Sequence, residues 1–123
     1  FRLAKELLDN NILVSIDPTG TASDRVLTRN LPFYAGSFSS YGINKEKALG
    51  LITINPAKIL GIDDKFGSIE IGKSATLFIS KGDALDIVSN NVTHAFISGR
   101  NISLETHQTR LWRRYSNKYS SSQ

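Results

Sequence analysis

Residues 12–16 of the chain, ILVSI, form a short run in which only Ser15 is polar, and the run ends directly at Asp17. This length and composition predict a strand that is covered on both faces, as in a parallel sheet. A helix is predicted just before it, over residues 2–10, which gives the helix–turn–strand order of α/β folds. The chain contains no second run of this kind, so we expect the strand to lack a partner within these 123 residues.

Asp17 stands at the exit of this strand, where a carboxylate is costly to bury unless another group pairs with it. The residues that follow, Pro-Thr-Gly, are typical of a turn, and the local pattern favours a turn residue over a functional one. A polar loop is predicted over residues 17–30, in which Asp24 is an ordinary loop residue. Connections of this length are often functional or mobile.

Two or three helices are predicted within residues 30–61 from their cap and stop residues, which are Asn30 with Pro32, Gly42, Asn44, and Asn55 with Pro56 and Gly61. In the last of them, Asn55 is the expected N-cap, Pro56 the first helical residue and Gly61 the left-handed stop. Helices of this kind, following a buried strand, again indicate an α/β arrangement.

After Gly61 the sequence changes to short strands. Alternation of apolar and polar residues predicts strands near residues 67–73, 75–83 and 91–98, followed by a hairpin turn at Gly99-Arg100-Asn101. A final helix is predicted from Ser103, with one face formed by Leu104, Leu111, Tyr115 and Tyr119. Three or four short strands cannot bury both of their faces alone, so this half also requires additional structure.

The net charge of +4 comes entirely from residues 100–123, because residues 1–99 carry ten basic and ten acidic residues. A basic cluster of this kind is usually a solvated helix face, although contact with an anionic surface or an acidic partner is the alternative. Aromatic residues do not alternate with the basic ones, which argues against nucleic acid. No apolar run is long enough to span a membrane.

Classical catalytic motifs are absent from the sequence. His94 and His107 are far apart and form no HxH or HExxH pattern, so a packed or surface position is the better interpretation of each. The chain has no cysteine, which excludes disulfides and thiolate metal sites. These residues alone therefore predict no metal site within the chain.

Three motifs nevertheless carry a resemblance, and they occur in a fixed order: TINPAKILG, then GSIEIGKSA, then the FISGR hairpin. Together they resemble the carboxy-terminal end of the amidohydrolase superfamily, in particular its imidazolonepropionase-like and Xaa-Pro dipeptidase-like members. The resemblance covers residues 1 to about 119. It implies an α/β fragment: the last strand and helices of a TIM-like (β/α)₈ barrel, followed by the C-terminal strands of a small β-sandwich and a terminal helix.

By this resemblance, residues 1–61 would be the C-terminal part of the barrel, residues 62–103 the C-terminal half of a composite sandwich, and residues 104–123 the terminal helix and tail. The other half of the sandwich would lie in an N-terminal segment of the same protein. The chain begins at Phe1 and has no methionine, so we expect a piece of a longer protein.

The resemblance also implies a role for Asp17. In this superfamily an aspartate at the carboxyl end of the eighth strand is a metal ligand and the general base that accepts a proton from the attacking water, and such active sites lie at that end of the barrel. The implied parent is a metal-dependent hydrolase, with zinc as the expected divalent metal, that cleaves C–N bonds in a cyclic amide or dipeptide-like small molecule. The fragment alone would hold no metal and be inactive.

The sequence departs from the family pattern in three places. Ile16 precedes Asp17, where the family commonly has Ser or Thr, and Thr76 replaces a usual aspartate in the sandwich. The family's other metal ligands, including its HxH pair, are not in these residues. Two alternatives therefore stay open: a non-catalytic, degenerate amidohydrolase piece, or a small α+β interaction module that uses the basic tail.

The expected partners follow from this reading. They are the missing N-terminal part of the same protein and a small-molecule substrate. A homo-oligomer is a further option. Neither nucleic-acid binding nor a membrane span is expected. The composition is compatible with either the bacterial cytoplasm or the periplasm.

Overall fold

The computed structural model describes residues 2–18, 20 and 28–120, and for residues 117, 119 and 120 it describes the backbone only. The described helices and strands are, in chain order, α1 (Arg2–Asp9), α2 (Leu31–Ser39), α3 (Lys45–Gly50), α4 (Ile54–Ile59), β1 (Leu77–Ser80), β2 (Val92–Ile97), β3 (Arg100–Asn101) and α5 (His107–Ser120). The helices, the later strands and the terminal helix follow the predicted order, except that no strand forms at residues 12–16 or 67–73. Asp24 and most of the predicted loop 17–30 lie outside the described residues.

The core of the described part lies among the first three helices. Its buried members are Ala35, Ile43, Ala48 and Leu85, and the partly buried residues packed against them are Ala4, Leu8, Ile16, Phe38 and Ile52. Leu85 comes from the connection between β1 and β2, so one residue of the strand-rich half completes the core of the helical half. Gly36 in α2 makes this approach feasible, since a Cβ there would lie 2.1 Å from the Leu85 carbonyl oxygen.

The predicted strand at residues 12–16 forms no strand in the structure. A strand needs a neighbouring strand for its ladder of hydrogen bonds, and no described strand lies beside this segment. Its backbone is held instead at two points on the helical half: the amide of Ile16 donates to the carbonyl of Leu51 (3.1 Å), and the carbonyl of Val14 accepts from the side chain of Asn55 (2.8 Å). The prediction that residues 12–16 form a strand is therefore wrong.

The caps of the short helices were mostly predicted from sequence. Asn44 is the N-cap of α3, and its side chain accepts a hydrogen bond from the amide of Glu46 (2.8 Å). Gly61 ends α4 with φ +68°, and the amide of Ile62 donates to the carbonyl of Ala57 (2.9 Å), as in a Schellman motif. The predicted start of α4 is wrong, because the helix begins at Ile54 and its N-cap is Thr53 rather than Asn55.

Residues 67–73 were predicted as a strand but form turns. Gly67 and Gly72 both have positive φ, which reverses the chain twice within six residues. Ser68 links the carboxylate of Glu70 (2.6 Å) and the amine of Lys73 (2.6 Å), so short-range hydrogen bonds hold the turns. The apolar side chains that suggested a strand, Ile69 and Ile71, are almost fully exposed.

The sheet contains three antiparallel strands in the order β1-β2-β3, with Leu77 opposite Phe96 and Ile97 opposite Arg100. The β2–β3 hairpin turns at Ser98 and Gly99, which both have positive φ, as a type I′ turn requires. The predicted turn is therefore displaced by one residue, and Arg100 and Asn101 belong to β3.

Helix α5 begins four residues later than predicted, at His107 rather than Ser103. The reason is a reciprocal cap: the amide of Thr109 donates to the hydroxyl of Thr106 (3.1 Å), and the amide of Thr106 donates to the hydroxyl of Thr109 (2.8 Å). Leu104, which was placed on the apolar face of this helix, therefore precedes it. Leu111 and Tyr115 lie within the helix, and the side chain of Tyr119 lies outside what the structure describes.

Candidate functional site

Asp17 is exposed at the carboxyl end of the tethered segment 12–16. The residue before it, Ile16, is fixed both by its backbone hydrogen bond to Leu51 and by packing of its side chain against the core of the helical half. The carboxylate is thus placed at the surface by a backbone that is held on its amino-terminal side. An exposed carboxylate on a fixed backbone can bind a cation or accept a proton.

Asn55 is the residue at this site whose role sequence reasoning missed. Its side-chain amide donates to the carbonyl of Val14, three residues before Asp17 and 41 residues away along the chain. In the motif TINPAKILG, an asparagine directly before proline has the pattern of an N-cap, so the sequence pointed to a local role. No local feature of this motif signals the distant partner, and the structure shows only that the helix begins one residue earlier, at Ile54.

The two histidines do not join Asp17. His94 is exposed on β2, where its Nδ1 lies 3.1 Å from the hydroxyl of Thr93, and His107 lies at the start of α5, 3.1 Å from a guanidinium nitrogen of Arg110. This agrees with the prediction that each is a packed or surface residue. Within residues 2–18, 20 and 28–120, no three His, Cys, Asp or Glu side chains are grouped to hold a metal.

Asp17 fits a metal site only as one contributor. A carboxylate oxygen is an ordinary ligand for zinc, but such sites use three or four protein ligands. Among the described residues no group of three such ligands includes Asp17. The residues present therefore fit the expected role of Asp17 and do not by themselves build a metal centre.

A cavity of about 540 Å³ lies elsewhere, between α2 and the β1–β2 connection, and Asp17 does not line it. Lys45 and Asp83 form an ion pair at this cavity. The hydrogen bond from Lys45, followed by that from the backbone amide of Leu85, holds the pKa of Asp83 below its ordinary value, and the same pair raises the pKa of Lys45. Asp86 accepts from Ser89 and from the amide of Val88, which lowers its pKa as well. Asp83 thus joins the β1–β2 connection to α3, and Asp86 holds the connection through bonds to its own residues.

Comparisons with known proteins place these features in a family. The sequence model of the amidohydrolase family matches residues 4–102. An imidazolonepropionase from Thermoplasma acidophilum is 32% identical over 87 residues, which is 68% of this chain and 20% of that protein. A 5'-deoxyadenosine deaminase from Methanobrevibacter smithii is 30% identical over 82 residues, 61% of this chain and 19% of that protein.

A solved structure is similar as well. The crystal structure of an amidohydrolase from Thermotoga maritima superposes with a TM-score of 0.68 and 31% sequence identity, covering 82% of this chain and 25% of that one. The chain thus spans about a fifth of the length of the curated relatives it matches. Asp17, Asn55 and the β2–β3 hairpin all lie within the matched residues.

Proposed function

The chain belongs to the amidohydrolase family, and we propose that it is the carboxy-terminal part of a metal-dependent hydrolase that cleaves C–N bonds in a small cyclic amide or dipeptide-like substrate. The names of the two curated relatives fit hydrolysis at a carbon–nitrogen bond. The proposal includes the longer protein, because the chain spans only about a fifth of these relatives.

The observation that carries the proposal is the position of Asp17 at the carboxyl end of a segment that is tethered to the helical half. Two hydrogen bonds, at Val14 and Ile16, restrain the backbone that leads to this carboxylate. In the proposed fold this segment is the last strand of a TIM-like barrel, and the carboxyl ends of barrel strands are where active sites of such barrels lie.

In the proposed mechanism Asp17 acts as a metal ligand and as the general base. One carboxylate oxygen of Asp17 accepts the proton of the attacking water, and the protonated carboxyl can then pass that proton to the departing nitrogen. A bound divalent metal, zinc in our proposal, would lower the pKa of the attacking water. Restraint of the backbone at Ile16 keeps the base in one position while the proton moves, which is the usual requirement for efficient proton transfer.

The remaining ligands and the substrate pocket would come from the rest of the longer protein, which we propose as the chief partner of this chain. The rest of the longer protein would also supply strands that pair with residues 12–16 and structure that covers the exposed faces of the sheet. We therefore propose that the 123-residue chain alone is inactive.

The test uses the longer protein, with a panel of cyclic amides and dipeptides as substrates. Asp17→Asn keeps the shape of the side chain but removes its charge and basicity, and it should lower kcat/KM by about 10²- to 10⁴-fold. Asp64→Asn, at an exposed carboxylate in the turn after α4, is the matched control and should leave kcat/KM unchanged. Metal content, measured by mass spectrometry, should fall in Asp17→Asn and not in the control.

Three results would count against the proposal. Full activity and metal content in Asp17→Asn would remove Asp17 from the site. Hydrolysis by the 123-residue chain alone would show that the upstream part is not needed. Absence of both bound metal and activity from the longer wild-type protein would instead favour a degenerate, non-catalytic member of the family.

A further inference from the structure

Helix α5 lies beyond the part of the chain that matches the family, since the match ends at residue 102. Among the described helices and strands, the extensive contacts are those within the sheet and between α2 and α3, and α5 takes part in none of them. The reciprocal Thr106–Thr109 cap nevertheless gives the helix a defined start. The part of the chain that matches the family therefore does not include this helix.

The apolar and basic side chains of α5 lie on opposite faces. At about 100° per residue, Leu111, Tyr115 and Trp112 fall within an arc of about 100°. Trp112 is 69% exposed and Tyr115 48% exposed, so this arc is largely open among the described residues. The three arginines, Arg110, Arg113 and Arg114, lie on the opposite side of the helix, and Lys118 lies at the border between the two faces.

The charge of α5 has one sign. Its described side chains include three arginines and one lysine and no acidic residue, and Glu105, two residues before the helix, pairs with Arg113 (2.9 Å). The helix has 14 residues and is therefore about 21 Å long. In the described part of the chain no helix is both long and apolar enough to cross a membrane. A short helix with one basic and one aromatic face is the kind that lies flat at a lipid surface.

We propose that α5 is a membrane-surface helix that binds anionic lipid. Leu111, Trp112 and Tyr115 would enter the headgroup layer, where amphipathic aromatic rings are favoured, and Arg110 and Arg114 would face the lipid phosphates. The long aliphatic stem of Lys118 suits the border position, because its amine can reach the phosphates while the stem stays at the apolar boundary. This proposal concerns a helix beyond the family match, so it stands independently of the hydrolase activity.

The positive charge of α5 and the opposite positions of its basic and aromatic faces favour lipid over other anionic partners. Nucleic-acid binding by stacking requires aromatic and basic side chains on the same surface, and here they lie on opposite ones. An acidic protein would engage the arginine face and leave Trp112 and Tyr115 in water. A lipid surface uses both faces at once, because the apolar layer lies directly beneath the anionic phosphates.

The test uses the 123-residue chain and vesicles of phosphatidylcholine with or without phosphatidylglycerol. Trp112 is the one tryptophan of the chain, so its fluorescence reports on α5 directly. Vesicles with phosphatidylglycerol should shift the Trp112 emission to shorter wavelength, and lipids brominated in their acyl chains should quench it. Pure phosphatidylcholine vesicles and high salt should weaken the binding strongly, since the attraction is electrostatic.

Matched variants separate α5 from the rest of the chain. Arg110→Gln combined with Arg114→Gln should weaken vesicle binding about 25-fold, about fivefold for each arginine. Lys58→Gln combined with Lys81→Gln removes the same charge from exposed positions outside α5 and should leave binding unchanged. Leu111→Ser should weaken binding, whereas Ile71→Ser, at a fully exposed apolar residue, should not. Circular dichroism of each variant checks that the helix is retained.

Several outcomes would overturn the proposal. These are equal binding to charged and uncharged vesicles, equal losses in the two double variants, or quenching of Trp112 that is no greater than in solution. Binding of polyglutamate or DNA through the same arginines, with Trp112 still exposed and no vesicle binding, would assign α5 to an acidic protein or to nucleic acid instead. Co-sedimentation of the longer protein with the same vesicles is the final check, and failure there would also overturn it.

Discussion

The side-chain amide of Asn55 donates a 2.8 Å hydrogen bond to the backbone carbonyl of Val14. This bond joins the first turn of α4 to the segment that carries Asp17, across 41 residues of sequence. The bond at Ile16 is made by backbone groups alone, so any residue type except proline at position 16 could preserve it. The Asn55 bond depends on one side chain. A substitution at Asn55 therefore removes a restraint on the backbone that leads to Asp17.

Replacing Asn55 should therefore affect stability and the site together. Asn55→Ala leaves the partly buried carbonyl of Val14 without its donor and should lower the free energy of unfolding by about 1 to 2 kcal/mol, measured by urea denaturation. In the longer protein it should also lower kcat, because the backbone before Asp17 is less restrained. Asn10→Ala is the control, since Asn10 makes a bond of the same kind to Glu6 at an exposed position. An equal loss of unfolding free energy in Asn55→Ala and Asn10→Ala would show that the Asn55 bond contributes no more to stability than an exposed bond.

Two helical glycines should respond to alanine with opposite signs. In α2, a Cβ at Gly36 would lie 2.1 Å from the carbonyl oxygen of Leu85, so Gly36→Ala should cost about 1 to 3 kcal/mol of stability as the β1–β2 connection is displaced. In α3, the nearest atom to a Cβ at Gly50 is 3.6 Å away, an ordinary contact. Gly50→Ala should raise stability by about 0.4 to 1 kcal/mol, because alanine restricts the unfolded chain more than glycine does.

Thermal melting of Gly36→Ala and Gly50→Ala under the same conditions measures the change in stability of each variant. A stabilising Gly36→Ala would show that Leu85 does not approach α2 as closely as the structure indicates. A destabilising Gly50→Ala would show that α3 is packed more tightly there than the 3.6 Å contact implies.

Stability should depend on pH through the Lys45–Asp83 pair. The pKa of Asp83 is below its ordinary value of 3.8 in the folded chain, so the pair stabilises the fold above that pH and the contribution is lost as the pH falls through the lowered pKa. The pKa of Lys45 is raised above its ordinary value of 10.5, so the contribution is also lost as the pH rises through the raised pKa. The pair therefore contributes fully between these limits.

Urea denaturation at a series of pH values checks this dependence. Asp83→Asn should flatten the acid side of the stability profile, whereas Asp64→Asn, at an exposed carboxylate outside the β1–β2 connection, should not. Salt should reduce the effect, because both groups of the pair reach solvent. An unchanged acid profile in Asp83→Asn would mean that the ion pair does not contribute in solution.

Interactions between near neighbours in sequence were predictable. Asn44 caps α3 through an amide two residues away, and Gly61 ends α4 through its own left-handed conformation. The β2–β3 hairpin was likewise expected, to within one residue, because a two-residue turn needs only the residues that form it. The family match at residues 4–102 confirms the resemblance that the motifs of the same region carried.

The errors arose where a segment depends on a distant partner. Residues 12–16 and 67–73 both have the composition of strands, but a strand requires a neighbour to complete its hydrogen bonds, and none is described beside either. Alternation at Ile69 and Ile71 was therefore overridden by local turns, which satisfy backbone and side-chain groups without a partner. Asn55 was assigned to a cap for the same reason: its partner lies 41 residues away and leaves no local trace.

The sequence by itself determined the short helices with the caps at Asn44 and Gly61, the hairpin to within one residue, the segregation of basic charge into the last 24 residues, and the family, because each of these depends on neighbouring residues or on a recurring motif. Only the tertiary structure decided that Asn55 holds the backbone before Asp17, that Leu85 completes the helical core, and that α5 makes no extensive contact with the other described helices and strands. The physical reason is that packing and long-range hydrogen bonds join residues by their position in space, and composition along the chain carries no record of which distant groups will meet.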